Sequence, residues 1–585
     1  MPRRLRTPHA LPRPAGWGNV PPGVNSFIRE MPIVLGAMGL FSGIAAFALH
    51  WSSPVVTRAE ISLNPSALPK YALFSVLRIA AAYCFSLVFT LIYGYTAAYN
   101  RKAERLMLPL LDTLQSIPVL SFLPPVMIAM VALFPSRELG VELGSVLLIF
   151  TGQVWNMTFS FYSSMKHIPR EMREASQAYR LNWWQRFWQL ELPYGAIGLI
   201  WNSMMSVAGG WFFLMACEMF VLGNRDFRLP GLGSYLQTAA NAGDTRAIAW
   251  GLATMVAVVI LIDQLVWRPV IAWAEKFKME QVASSEVPRS PILALLRSSE
   301  LLPFLSRSLV SPVRNRVNAY FRTAPASPAP RKASRPAWQW TVRAAGILAL
   351  GLIAYGVVRL LGVLATVSLR ELGHLLVGAG ATFLRVEAAL VLAVLWTVPV
   401  GVAVGLRPRL SAIAQPIAQI AASVPATALF PILLLVLIRA GGGLGIGSIL
   451  LLLLGTQWYV LFNVIAGATA IPEDLKEVCK VYRLSRVERW RRLLLPGIFP
   501  YLITGLVTAS GGAWNASIVA EYFRFRGQTM STVGLGAIIS QATDRSNFPV
   551  LLAATMVMAV IVVSMNRLVW RRLYTLAATR FKLES

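Results

Sequence analysis

Charge is scarce in this sequence. Only 14% of its 585 residues are Asp, Glu, Lys or Arg, against about 25% in a soluble domain. A chain so poor in charge cannot cover itself with a solvated surface, which excludes an ordinary soluble enzyme. Cysteine is nearly absent: Cys84, Cys217 and Cys479 are scattered with no CxxC spacing, so nothing requires a disulfide framework or a metal. The four histidines are isolated too, and a His without a partner at ligand spacing reads as structural. No Gly-Lys pair occurs anywhere, so the GxxxxGK[ST] loop that cradles ATP phosphates is missing. No Ser-His-Asp set, paired-carboxylate cleft or metal triad stands out, and chemistry on a substrate is not expected. Acidic residues are the scarcer charge, 26 against 54 basic, for a net +28. The basic residues do not form one nucleic-acid patch. They gather between alternate apolar runs, as cytoplasmic loops do.

What is abundant is apolar sequence, 56% of the chain with a mean hydropathy of +0.59. Runs near 20 residues are long enough to cross a bilayer. They predict spans near 31–51, 71–96, 112–134, 144–165, 195–222 and 247–272, then 341–361, 380–406, 412–439, 446–469, 498–523 and 548–571. The expected fold is therefore all-α, a polytopic membrane protein of twelve helices. The first 30 residues form a basic tail. The first run carries no small-residue cleavage site after it, so it is expected to stay as an anchor. Residues 31–275 and 341–578 are the two membrane domains, and 579–585 a short tail. The segment 276–340, with its run APASPAPRKASRPAW, is a Pro/Ser/Arg-rich linker. Within it, Ile292 to Leu309 mixes Leu with Arg and suits a membrane surface or a plain tether equally. Lys and Arg in the tail, at Arg101 to Arg105, in the 166–193 loop and in the linker all fall on one side. This puts both termini in the cytoplasm.

The chain also repeats itself. Arg78, Gly94, Pro109, Pro118 and Pro124 recur as Arg385, Gly401, Pro416, Pro425 and Pro431, 307 positions later. From Gly144 the shift becomes 303: Gly144/Gly447, Trp155/Trp458, Trp211/Trp514, Glu218/Glu521, Gly231/Gly534, Gly233/Gly536 and Trp267/Trp570. A four-residue deletion near 126–143 accounts for the change. With six spans per half, the repeat is parallel, its axis along the membrane normal.

Two polar loops between the fourth and fifth spans match each other closely. Residues 168–193 read IPREMREASQAYRLNWWQRFWQLELP, and residues 471–496 read IPEDLKEVCKVYRLSRVERWRRLLLP. In the first, Glu174 and Ala175 are followed one turn on by Ala178. Small residues at that spacing give a helix a face another protein can approach closely. Trp183, Trp184, Phe187 and Trp188 follow and suit a membrane–water interface. Leu192-Pro193 then starts the next span, Pro being comfortable in a first helical turn. An ordinary interfacial loop would explain one copy; two copies at matched positions point to a shared role.

These loops resemble the EAA motif of type I ABC importer permeases. Glu174-Ala175 with Leu192-Pro193, and Glu477 with Leu495-Pro496, stand at the family's spacing. Gly209-Gly210-Trp211-Phe212-Phe213 and Pro230-Gly231-Leu232-Gly233 look like the nitrate/sulfonate/taurine/bicarbonate branch. The resemblance covers roughly 71–275 and 378–578. Two departures stand out: the family's Gly is Arg180 and Arg483 here, and its Ala pair is Ala175-Ser176 and Val478-Cys479. The bulkier second copy is expected to dock less closely or in another register.

The resemblance implies coupling helices, with Glu174, Ala175, Ala178 and Arg180 in one and Glu477, Val478 and Arg483 in the other. They would sit in grooves on two cytoplasmic ABC ATPase subunits, which hold the ATP and Mg. This chain would bind no cofactor itself. An extracytoplasmic solute-binding protein would deliver solute to the outer face, and the location would be a bacterial cytoplasmic membrane. No nucleic acid is implied.

Arg78 and Arg385 fall inside the second spans. Such residues face the bundle interior, either to attract an anion or to pair with a carboxylate that holds helices together. Arg385 also has Glu387 nearby. Glu218 and Glu521 lie near the outer end of the fifth spans, as gates or as ties to the next loop. Trp211 and Trp514 stand beside mid-span glycines that allow either close helix approach or a local break, so they either floor a solute cavity or simply pack. Pro118/Pro425 and Pro124/Pro431 should kink the third spans.

The function this supports is a fused permease of an ATP-driven importer, its solute a small anion such as nitrate, a sulfonate or bicarbonate. Two alternatives remain. A six-plus-six secondary carrier would need a basic Gly-Asp-Arg signature between spans 2 and 3, where this chain has only about Asn100 to Arg105. A membrane scaffold without transport would have no ATPase partner.

Overall fold

In the computed structural model, residues 60–134, 138–222, 225–277, 311–322, 361–439, 443–525 and 528–580 are described, with a few isolated positions between 292 and 358. The tail, both first spans (31–51 and most of 341–361) and most of the linker, including most of 292–309, lie outside the described residues. Among the described residues, seven helices are long and apolar enough to cross a membrane, and two shorter apolar ones accompany them. The chain is a polytopic, all-α, duplicated membrane protein.

The first half runs α1 (Leu68–Tyr99), α2 (Arg101–Ser116), α3 (Leu123–Leu133), α4 (Leu139–Lys166), the short α5 (Arg170–Ala178) and α6 (Trp183–Glu218). A small hairpin follows, β1 (Val221–Leu222) and β2 (Arg225–Asp226), then α7 (Leu232–Ala242) and α8 (Thr245–Ala274). Helix α9 (Ser311–Arg322) belongs to the linker. The second half repeats the series: α10 (Leu369–Gly405), α11 (Pro408–Ser423), α12 (Ala426–Arg439), α13 (Leu444–Thr469), α14 (Glu473–Val481) and α15 (Arg486–Ala520). Hairpin β3 (Tyr522–Phe525) and β4 (Gln528–Ser531), α16 (Leu535–Asp544) and α17 (Phe548–Ala577) complete it. The match extends to irregularities. Wide π-turns at Phe187–Glu191 and Asp263–Trp267 recur at Trp490–Leu494 and Asn566–Trp570. Left-handed residues Arg180 and Gly243 recur as Arg483 and Ser546.

Two expectations need correction. The third spans are broken, not kinked. Ile117 and Val424 are extended, with ψ of 125° and 117°, because Pro118 and Pro425 follow them and a proline pushes the preceding residue out of the α region. The 112–134 run thus becomes the end of α2, a 3-10 turn at Val119–Phe122 and α3. Nor does Leu192-Pro193 start the fifth span. The helix begins at Trp183, and the π-turn at Phe187–Glu191 absorbs the hydrogen bond that Pro193 cannot donate. The same device precedes Pro496.

In lipid, apolar side chains gain little by leaving the solvent, so helices associate through close packing at small residues. Gly94 on α1 lies against the Phe161 ring of α4, and its counterpart Gly401 against Val464 of α13. The halves then interlock. The Val119–Phe122 turn packs on α15, α11 packs on α6 and α8, and α7 meets β3 while α16 meets β1. One apolar core is shared by both halves. The hairpins lie at one end of the bundle and α5 and α14 at the other.

Candidate functional site

Three places concern function: buried ion pairs at the hairpin end, a cavity between the halves, and the short helices at the opposite end.

At the hairpin end of the first half, Arg78 is fully buried. Its Nε and Nη2 donate to Glu142 on α4 at 2.7 and 2.6 Å, and Nη1 donates to Glu218 on α6 at 2.7 Å and to the Pro230 carbonyl at 2.9 Å. Glu218 also accepts from Ser75 Oγ and the Gly233 N–H, each at 2.7 Å. A Cβ on Gly231 would collide with the Glu218 carboxyl, so the loop can approach only as glycine. In the second half, Glu521 accepts from Arg385 and Thr382 at 2.8 Å and from the N–H groups of Gly536 and Ala537 at 2.9 and 3.3 Å. Gly534 takes the place of Gly231. The second network is lighter. Carried two residues back from Gly144 along α4, the 303 shift puts Gly445 of α13 in the place of Glu142, and Arg385 Nη2 donates to Thr532 instead, at 2.9 Å. Glu387 is not Arg385's partner; its Oε1 is buried without a hydrogen bond.

The cavity holds about 560 Å³ between the halves. Asn156 and Asp263 reach it from the first half; Gln415, Gln419, Asn463 and Asn515 reach it from the second. Trp201, Trp211, Trp267, Trp458 and Tyr459 supply much of the apolar wall. Among its described lining residues none is Lys, Arg or His, and Asp263 is the sole carboxylate. Asp263 pairs with Arg268 at 3.1 Å and meets Gln419 across the halves at 3.4 Å. Of the residues the sequence singled out, Trp211 lines this cavity, whereas Trp514, Arg78, Arg385, Glu218 and Glu521 do not. Trp514 is fully buried. Helices α6 and α15 run unbroken past their glycines. At Gly210 a Cβ would collide with the Gln153 side chain, whereas at Gly209 it would stand at ordinary contact distance from the Tyr459 hydroxyl. The amide residues and Asp263 escaped the sequence reading, since isolated polar residues in apolar runs carry no spacing signal. Asp263 is Asn566 in the second copy, so the repeat does not flag it either.

At the other end, Ser176 of α5 and Cys479 of α14 are the buried residues among those described in the two helices. Glu174, Ala175, Ala178 and Arg180 are exposed, as are Glu477, Val478, Val481 and Arg483. Both helices end alike: the N–H of Leu181 returns to the Ser176 carbonyl, and that of Leu484 to Cys479, at 3.0 and 3.1 Å. The residue just before, Arg180 or Arg483, takes a φ of 51° or 48°. This explains the departure noted above. The turn needs a left-handed residue, for which glycine is the unstrained choice, and here arginine bears the strain. Nearby, the Tyr162 hydroxyl and the Lys166 ammonium hold the Glu104 carboxyl below the usual carboxylate range.

Two expected outcomes follow from these geometries. Arg78→Leu strands two buried carboxylates and should cost about 3–5 kcal/mol. Arg385→Leu should cost less, because Glu521 keeps its hydroxyl and N–H donors; thermal unfolding of the purified protein in detergent gives the order. Replacing Arg180 or Arg483 by Gly should raise the local stability of its loop by about 0.5–1 kcal/mol, read as slower hydrogen exchange at the Leu181 or Leu484 amide.

The same duplication appears in comparison with known proteins. The family described as binding-protein-dependent transport system inner membrane component matches residues 86–266 and again 397–577. The nitrate import permease protein NrtB of Leptolyngbya laminosa is 30% identical over 174 residues, 30% of this chain and 59% of the relative. The taurine transport system permease protein TauC of Escherichia coli is 30% identical over 184 residues, 31% of this chain and 62% of the relative. The bicarbonate transport system permease protein CmpB of Synechococcus elongatus is 29% identical over 166 residues, 28% of this chain and 56% of the relative. The chain thus spans about three fifths of the length of these relatives. Two matched segments, together more than half of the sequence, on two halves that repeat each other helix by helix, make this chain a member of the binding-protein-dependent transport system inner membrane component family, carrying two fused copies of its domain.

Proposed function

We propose that this chain is the complete membrane pathway of an ATP-driven ABC importer, coupled to two separate cytoplasmic ATPase subunits through α5 and α14. The observation that carries the reading is the pair of matched exposed faces, Glu174-Ala175-Ala178 and Glu477-Val478-Val481. They stand at one end of two homologous halves that enclose a common cavity. Each helix is fixed to the bundle by its opposite side, so a force on the exposed face is transmitted to α4 and α6 or to α13 and α15. Ala175 and Ala178 permit close contact. Val478 and Val481 hold a partner farther off and offer more apolar area. ATP and Mg sit on the ATPase subunits, and closure of their dimer drives the halves between inward- and outward-open states.

The other expectations belong to the same reading. An extracytoplasmic binding protein delivers the solute at the hairpin end, and both termini lie in the cytoplasm of a bacterial cell. The solute is a small anion, the class suggested by the names of the nitrate and bicarbonate relatives. In this cavity it meets amide groups and indoles instead of cations. Such a lining favours weak holding and ready release, leaving charge selection to the binding protein. Arg78 and Arg385 keep the scaffold and do not touch the solute.

The test is reconstitution in lipid with a candidate ABC ATPase and binding protein from the same organism. The wild type should copurify with the ATPase and show hydrolysis stimulated by the binding protein. Glu174→Lys combined with Glu477→Lys should lower that stimulation at least tenfold. A wild type that neither binds nor stimulates an ATPase contradicts the proposal.

A further inference from the structure

The linker contributes one described helix, α9, and that helix is docked. Its Phe321 ring stacks on Trp184 with centroids 4.6 Å apart and meets Trp183 edge-on at 5.2 Å. The Trp184 indole N–H donates to Asn318 at 2.9 Å, and the Asn182 side-chain N–H donates to the Phe321 carbonyl at 2.9 Å. Asn182 is a buried junction. Its Oδ1 accepts from the Gln185 N–H and so caps α6, and its neighbour Leu181 closes the end of α5. A continuous path of bonds therefore joins the linker to the first of the two exposed short helices.

The second half has the loop but not the slot. By the 303 shift Ser485 replaces Asn182, and Arg486 and Val487 replace Trp183 and Trp184. Ser485 keeps the same capping box, with Glu488, but has no amide N–H with which to reach a second helix. Val487 is 61% exposed.

We propose that Trp183, Trp184 and Asn182 form a docking slot for the chain's own linker, and that α9 is a strap holding the first short helix to the bundle. The two loops are then mechanically inequivalent. The first is braced by the segment that leads into the second half; the second is held by its own half. The strap itself stands on the contacts above, while its effect on ATPase coupling rests on the function proposed in the preceding section. A fused chain can carry such a strap because its linker starts from one half and returns to the other.

Hydrogen exchange on the full-length protein in detergent tests this directly. Phe321→Ala empties the slot, and Asn182→Ser installs the residue that the second copy already uses as a cap. Phe321→Ala should speed exchange of the Leu181 and Gln185 amides at least tenfold, and Asn182→Ser should speed it about threefold. Leu484 and Glu488 should stay unchanged in both. Unaltered exchange at Leu181 and Gln185 in both variants, with the protein still folded and monodisperse, overturns the strap. So does equal acceleration in both loops, which would signal general loosening. In the ATPase complex, Phe321→Ala should change stimulated hydrolysis at least twofold, and an unchanged rate overturns the strap's role in coupling. A wild type that recruits no ATPase defeats the coupling reading separately, because the exchange result does not depend on it.

Discussion

A buried carboxylate at the end of each fifth span is the interaction on which the hairpin end of this protein depends. Glu218 and Glu521 are both fully buried, where an unpaired charge would cost several kcal/mol. Each is held by an arginine from the second span, a hydroxyl from the same helix and N–H groups from the glycine-rich start of α7 or α16. Three segments distant in sequence are thereby fixed to one another. Gly231 and Gly534 are required because the carboxyl occupies the space a Cβ would fill. With that end fixed, the cavity and the two short helices fall at defined distances below it.

The halves share this design but do not carry it equally. The first adds Glu142, which takes two of Arg78's donors, and encloses the arginine completely. The second replaces that carboxylate by Thr532, and Arg385 keeps 14% exposure. The first short helix is bonded through Asn182 to the linker; the second shows valines where the first shows alanines. The two copies share the scaffold and differ in the bonds that fasten it at both ends.

Much of this was legible in the sequence, because repetition is a strong signal. The 307 and 303 shifts paired Arg78 with Arg385, Glu218 with Glu521 and the two polar loops, and the family matches fall on those halves. What repetition could not reveal is whatever one copy lacks. Glu142 has Gly445 for a counterpart, Asp263 has Asn566, and Trp183-Trp184 has Arg486-Val487. The break at Pro118 and Pro425 was underestimated because a proline acts on the residue before it as well as on its own hydrogen bond. The hairpins escaped because strands of two to four residues carry no usable alternation. Helix α9 was hidden in a stretch whose Pro, Ser and Arg content describes a tether, and its anchor is one phenylalanine whose partners lie about 140 residues away.

On the proposed function, one copy of this chain supplies both halves of the pathway. Native mass spectrometry of the complex, purified through a tag on this chain, is the measurement to make. One copy of this chain with two ATPase subunits is the expected composition. Two copies of this chain with two ATPase subunits would contradict it, since each would then furnish only part of a shared pathway.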